Sequence, residues 1–276
     1  MINESPANKT SPLKIIISLA IIVLIAGVGY AVYNKESSND VELDFKSSGI
    51  DGGNSVKNVA DVEEVIAKWV EANPEAIIDS VVKMQQKAAQ DQQKNSQKSI
   101  SSKADEIFND KTDPQYAPKG YDVTIVEFFD YNCGYCKKAQ TTVEKIISQD
   151  KKVRVIFKEL PILGPDSAEL AKVAIAVNMI DKSSYVKFHD ALMKSSVRKK
   201  DGAIRIAKDL GIDTAKLIKT LEDKNSEIEA KINSNKELAT SIGISGTPAF
   251  LIGEELVPGA LGIDALKDKI SAQRKK

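Results

Sequence analysis

Residues 121–138 read YDVTIVEFFDYNCGYCKK, and the reading of this stretch decides the fold. Tyr121 to Tyr131 is β-branched and aromatic, the composition of a strand buried on both faces. It runs directly into Asn132-Cys133-Gly134-Tyr135-Cys136. Beyond the second cysteine, Ala139, Val143, Ile146 and Ile147 recur at helical spacing. The cysteines therefore stand at a strand-to-helix junction, with Cys133 at the helix N-terminus. Unpaired backbone N–H groups and the helix dipole stabilise a thiolate there. The two-residue spacing lets the second thiol attack a mixed disulfide formed on the first, which is what thiol–disulfide exchange requires. A c-type haem site would need His after the second cysteine, where Lys137 stands, and a zinc ribbon would need a second cysteine pair. A purely structural disulfide is the remaining alternative.

Composition narrows the classes. The chain has 276 residues, 39 basic and 39 acidic side chains, two cysteines and one histidine. Balanced charge excludes a protein that grips nucleic acid through a global positive field. Three Cys and His side chains in all cannot by themselves build a four-ligand structural zinc site within one chain; no metal and no cofactor is expected. Chemistry must rest on the thiols, on carboxylates or on His189. That histidine lies at helical spacing from Tyr185, Phe188 and Leu192, which reads as a half-buried helix residue and not as a general base.

Working outward to the N-terminus, Ile15 to Tyr33 is a run of 19 residues without a charge. About 20 apolar residues span a bilayer as a helix. Lys9 and Lys14 precede it and Glu36, Asp40, Glu42 and Asp44 follow, so the rest of the chain is expected on the exported, periplasmic side. Residues 1–33 fit either a retained inner-membrane anchor or a signal cleaved after the small residues Gly29 and Ala31. Residues 34–58 are rich in Ser, Asn, Asp and Gly and read as a flexible linker. Residues 59–110 read as a helical arm. Asp61 starts a helix with Glu64 as its capping-box partner, and Val62, Val65, Ile66, Trp69 and Val70 follow. Asn73 as N-cap and Pro74 at the first helical position start a second helix, with Ile77, Ile78, Val81, Val82, Met84 and Ala88 as its stripe. A polar run follows from Gln90 to Ser99, then a short helix near Ser102 to Asp110. These helices either pack on the downstream domain or serve as a self-association arm. Pro114 and Pro118 mark the boundary of a domain over residues 115–276, whose strand–Cys-X-X-Cys–helix core begins after Pro118.

That domain resembles the DsbA-like branch of the thioredoxin superfamily. The resemblance rests on VEFFDYNCGYCKK together with Ser245-Gly246-Thr247-Pro248-Ala249-Phe250 far downstream. It implies an α/β thioredoxin-like fold with a helical insertion, here from about 166 to 242. Val153 to Leu160 supplies a second strand, Ala249 to Ile252 a late one, and a last helix runs from about Asp264 to Ala272. The resemblance implies catalytic roles for Cys133 and Cys136 as a redox-active pair. It places an acidic residue, Glu127, beneath the site as a proton acceptor for Cys136. A carboxylate in so apolar a strand is costly unless paired or protonated. The resemblance implies Lys158 as its partner. Pro248 matches a cis-proline opposite the thiols, and Thr247 before it offers backbone to an extended substrate. Gly134 and Tyr135 complete the candidate substrate contacts. Strongly oxidising members carry Pro-His between the cysteines, so Gly-Tyr is a departure. With Thr before the proline, it looks more like the DsbC-type isomerases.

The leading expectation is a protein thiol–disulfide oxidoreductase that forms disulfides in exported proteins and is reset by a membrane or soluble redox partner. A disulfide isomerase or reductase, a homo-oligomer joined through the N-terminal helices, is the second. A membrane-anchored, non-enzymatic protein with an inert disulfide is the third.

Overall fold

The computed structural model describes residues 59–275. The expected export segment over 1–33 and the expected linker over 34–58 lie outside the described residues. Residues 59–73 and 74–275 belong to two compact units.

In the first unit, helix α1 (Val59–Ala72) includes Val59 and Ala60, so Asp61 sits within its first turn and does not start it. Glu64 pairs with Lys68 at 2.7 Å. Asn73 follows the end of α1. Its Nδ2 donates back to the carbonyl of Trp69 at 2.8 Å and closes the end of α1. No residue of α1 is buried, and Val59, Val62, Ile66 and Val70 face solvent.

The second unit begins with α2 (Pro74–Ser102) and α3 (Ala104–Phe108). Helix α2 runs unbroken for 29 residues, straight through the polar run from Gln90 to Ser99. Gln and Lys are good helix formers, and Ile100 anchors the last turn by full burial. Strands β1 (Gln115–Tyr116) and β2 (Val123–Phe129) follow. Helix α4 (Gly134–Gln149) crosses over to β3 (Val153–Glu159). Five helices then form the insertion: α5 (Pro165–Ile180), α6 (Lys182–Lys194), α7 (Lys200–Asp209), α8 (Thr214–Asp223) and α9 (Asn225–Ser241). The chain closes with β4 (Ala249–Ile252), β5 (Glu255–Pro258) and α10 (Ile263–Gln273).

The sheet has the order β1-β3-β2-β4-β5. Only β2 and β3 are parallel, as their helical crossover requires; the other neighbours are antiparallel. Strand alternation sorts β2 and β3 onto two cores. Ile125, Phe129, Val155 and Phe157 pack with α4, the insertion helices and α10. Val126, Phe128 and Ile156 pack on the other face with Ile100 of α2, Ile107 of α3 and Leu238, Ala239 and Ile242 around α9. The strand–cysteine–helix core does begin after Pro118, with β2 at Val123, and the sheet also uses Ile100 and Ile107 to cover its second face. That packing divides the two readings of the second and third helices. The end of α2 and all of α3 serve packing, whereas Ile77, Ile78, Val81, Val82 and Met84 stay exposed.

Candidate active site

Cys133 is the N-cap of α4, with an extended backbone, and its Sγ accepts from the Cys136 amide at 3.4 Å. A cap side chain normally takes up one of the free N–H groups of the first turn; here a sulfur does so. On its other side, Sγ donates to the carbonyl of Thr247 at 3.4 Å. The Thr247–Pro248 bond is cis, as the resemblance implied. Both cysteines are free, and Cys136 is completely buried while Cys133 keeps a small exposed surface. Burial pushes the Cys136 thiol well up from its usual value. Gly134 and Tyr135 face solvent, and Lys138 Nζ stands 5.2 Å above the Tyr135 ring.

The turn leading to Cys133 is held by Asp130, a residue the sequence reading passed over. Its Oδ1 accepts from the Asn132 amide at 2.7 Å, and Oδ2 accepts from the amides of Ile162 and Leu163 at 2.9 and 3.0 Å. Its carbonyl accepts from the Cys133 amide at 3.0 Å. The Asp-x-Asn spacing just before the cysteines was the available signal, since such residues fold turns through their side chains. Arg198, in the loop between α6 and α7 of the insertion, adds a long contact to the Asn132 carbonyl.

Glu127 lies on the same face of β2 as Ile125 and Phe129, in register with Phe157 and Phe250. It is fully buried, and neither carboxyl oxygen has a hydrogen-bond partner. Burial, with the Asp190 charge second, raises its pKa to about 8. The expected pairing with Lys158 is not made. Lys158 is in register with Phe128, not Glu127, so its side chain leaves the opposite face of the sheet. There Nζ bonds Asp113 Oδ2 at 2.5 Å and the Glu106 carbonyl at 2.9 Å. Asp113 also pairs with Lys231, so the buried charges compensate one another away from the thiols.

His189 is fully buried, not half-buried. Its ring lies among Phe129, Phe157, Tyr131 and Tyr185. Nδ1 meets Tyr131 Oη at 3.1 Å and Nε2 meets Gln140 Oε1 at 2.9 Å. Gln140 in turn donates to Asp190, and Tyr185 donates to Glu159 at 2.6 Å. Burial lowers the His189 pKa to about 3, so the ring is neutral and acts as a bridge between α4 and α6. Gln140 sits on the apolar stripe of α4, which was the sequence signal that a buried polar partner awaited it.

A family model, the DSBA-like thioredoxin domain, matches residues 124–271. A curated relative, the probable disulfide bond formation protein D of Bacillus cereus, is 27% identical over 189 residues, covering 63% of this chain and 84% of its own. The chain spans only 24% and 23% of the length of two other curated relatives, Na(+)/H(+) antiporters NhaA of Salinispora species. Among solved structures, the thiol-disulfide exchange protein alpha-DsbA2 of Wolbachia pipientis is similar at 33% identity and a TM-score of 0.61, over 64% of this chain and 95% of that one. A linker-deletion variant of Proteus mirabilis ScsC is similar at 27% identity and a TM-score of 0.61, over 80% of this chain and 99% of that one. With the Cys-X-X-Cys pair capping α4, the cis-proline loop against it and the helical insertion in place, the chain belongs to the DsbA-like thioredoxin family.

Proposed function

We propose that the chain is an exported protein thiol–disulfide oxidoreductase that forms disulfide bonds in client proteins, with Cys133 as the exchanging thiol and Cys136 as the resolving one. The observation that carries this reading is the setting of Cys133 Sγ, 3.4 Å from both the Cys136 amide and the Thr247 carbonyl. A charge on that sulfur is stabilised by the helix start. In the oxidised protein, a client thiolate attacks Cys133 Sγ and the Cys133–Cys136 bond breaks. Cys136 leaves as a thiolate and takes a proton, since its buried surroundings disfavour the charge. Glu127, buried on the same side of the sheet and protonated up to about pH 8, is the proposed donor, and the acceptor in reverse. A second client thiolate then attacks the client sulfur of the mixed disulfide, and Cys133 leaves. The client loses two electrons to the cysteine pair, and a thiol-oxidising partner removes them. Export is supported by the apolar run from Ile15 to Tyr33 and its charged flanks.

Isomerase action by an oligomer is the second reading, favoured by the exposed apolar residues from Ile77 to Met84 on α2. Several active sites around one client raise the effective concentration of the second thiol pair, up to about millimolar. The likeness to the longer ScsC structure, over 80% of the chain, extends beyond the 65% matched by its catalytic domain alone. The test compares oxidation of a reduced client with rearrangement of a scrambled one. Faster oxidation supports the first reading, and faster rearrangement the second. A pair that fails to react with a thiol probe after mild reduction would make the disulfide inert.

A further inference from the structure

The cis-proline loop borders a groove of about 910 Å³ whose second wall the thiol chemistry does not explain. On one side lie Thr247, Pro248 and the β4–β5 turn. On the other lies α2, through Gln92, Gln93 and Gln97. All three line the groove: Gln93 and Gln97 are an i, i+4 pair on one helix face, and Gln92 adjoins Gln93. Helix α2 is fixed there, because Ser96 Oγ donates to the Ile242 carbonyl at 2.6 Å and Ile100 is buried. The three glutamines are exposed, and their amides are unpaired among the described residues. At another edge of the groove, Gln273 presents a buried Nε2 with no partner.

A primary amide donates and accepts, as a peptide bond does. A row of neutral amides therefore grips backbone and is indifferent to client sequence. From Ala89 to Ile100 the helix wall is about 16 Å long at 1.5 Å per residue, the span of about five residues of extended chain. The groove is also continuous with the reacting sulfur, since Thr247 both lines it and accepts from Cys133 Sγ.

Resting on the exchange reading above, we propose that Gln92, Gln93 and Gln97 form the second wall of a polypeptide groove, which holds the backbone of an extended client segment beside the cysteine that reacts with Cys133. The probe is a neutral Gly/Ala/Ser peptide of about ten residues with one central cysteine, long enough to cross the groove. Glutathione is the short reference thiol. The rate constants for reduction of the Cys133–Cys136 disulfide by each are measured in the parent and in the Gln92→Ala/Gln93→Ala/Gln97→Ala variant. The ratio of peptide rate to glutathione rate should fall about tenfold, on the scale of a few net hydrogen bonds. An unchanged ratio overturns the groove. A serine version of the peptide, titrated by NMR, reads binding without redox chemistry and should bind more weakly to the variant. Glutamine-dependent binding without exchange by either thiol would sink the exchange reading and leave the groove standing. Glutamine amides that broaden with protein concentration in the absence of peptide would assign the wall to a second copy and overturn the proposal.

Discussion

Replacing Glu127 with Gln should change how stability depends on pH, and the structure sets the size of the effect. The carboxyl is completely buried and unpartnered, with a pKa of about 8 against a usual 4.5. A raised acid pKa means that the folded state keeps a proton that the unfolded state releases. Its contribution is therefore fully present below about pH 4.5 and is lost as pH rises through 8. Between pH 5 and pH 7.5 the folded parent should lose about 3 kcal/mol from this group alone. The Gln variant has no such proton. Burying an unpaired amide costs about 1–3 kcal/mol at every pH, so the absolute stabilities are a poor test and the slope is a good one. Urea melts at pH 5, 6, 7 and 7.5 should show the parent losing about 3 kcal/mol more than the variant across that range. His189 and Glu159, whose pKa values burial also moves, are common to both proteins and cancel to first order. Parallel stability curves would refute the reasoning, since they would mean that Glu127 is solvated or paired when folded.

Cys133→Ser should abolish exchange, whereas Cys136→Ser should accumulate mixed disulfides with client, seen as thiol-sensitive adducts on a non-reducing gel; the reverse pattern would exchange the two roles. Lys158→Met should cost about 3 kcal/mol in urea unfolding, because Asp113 would keep only Lys231 as a buried counter-charge; a loss below about 1 kcal/mol would mean that the pair is hydrated. Ile78→Glu with Val82→Glu should lower the oligomeric state of the intact chain in sedimentation, since both residues stand exposed on α2; a parent that sediments as a monomer would return these residues to ordinary surface.

The strand–cysteine–helix junction was legible because it rests on local rules. An apolar run, a change of period and a two-residue cysteine spacing fix β2, α4 and the place of Cys133 without any distant contact. The insertion helices were legible from their apolar stripes. That Glu127 stands without a partner was not, because pairing depends on register. Lys158 falls one position out of phase, and a one-residue offset sends a strand side chain to the other face. The same limit hid Asp113, whose counter-charges come from β3 and α9. The polar run from Gln90 to Ser99 carried no periodicity, so nothing local told a helix from a spacer. What fixes its position is Ser96 bonding to Ile242 and Ile100 packing in the cluster that holds Leu238 and Ile242, partners far away in sequence.

The reduction potential of the Cys133–Cys136 pair tests the central claim most directly. Capping of α4 by the Cys133 sulfur stabilises the reduced pair, which makes the disulfide oxidising, while the absence of His at position 135 removes one further source of oxidising power. The account predicts a potential between about −200 and −120 mV, in the range of disulfide donors and isomerases. A value near about −270 mV, that of a thioredoxin-type reductant, would contradict it.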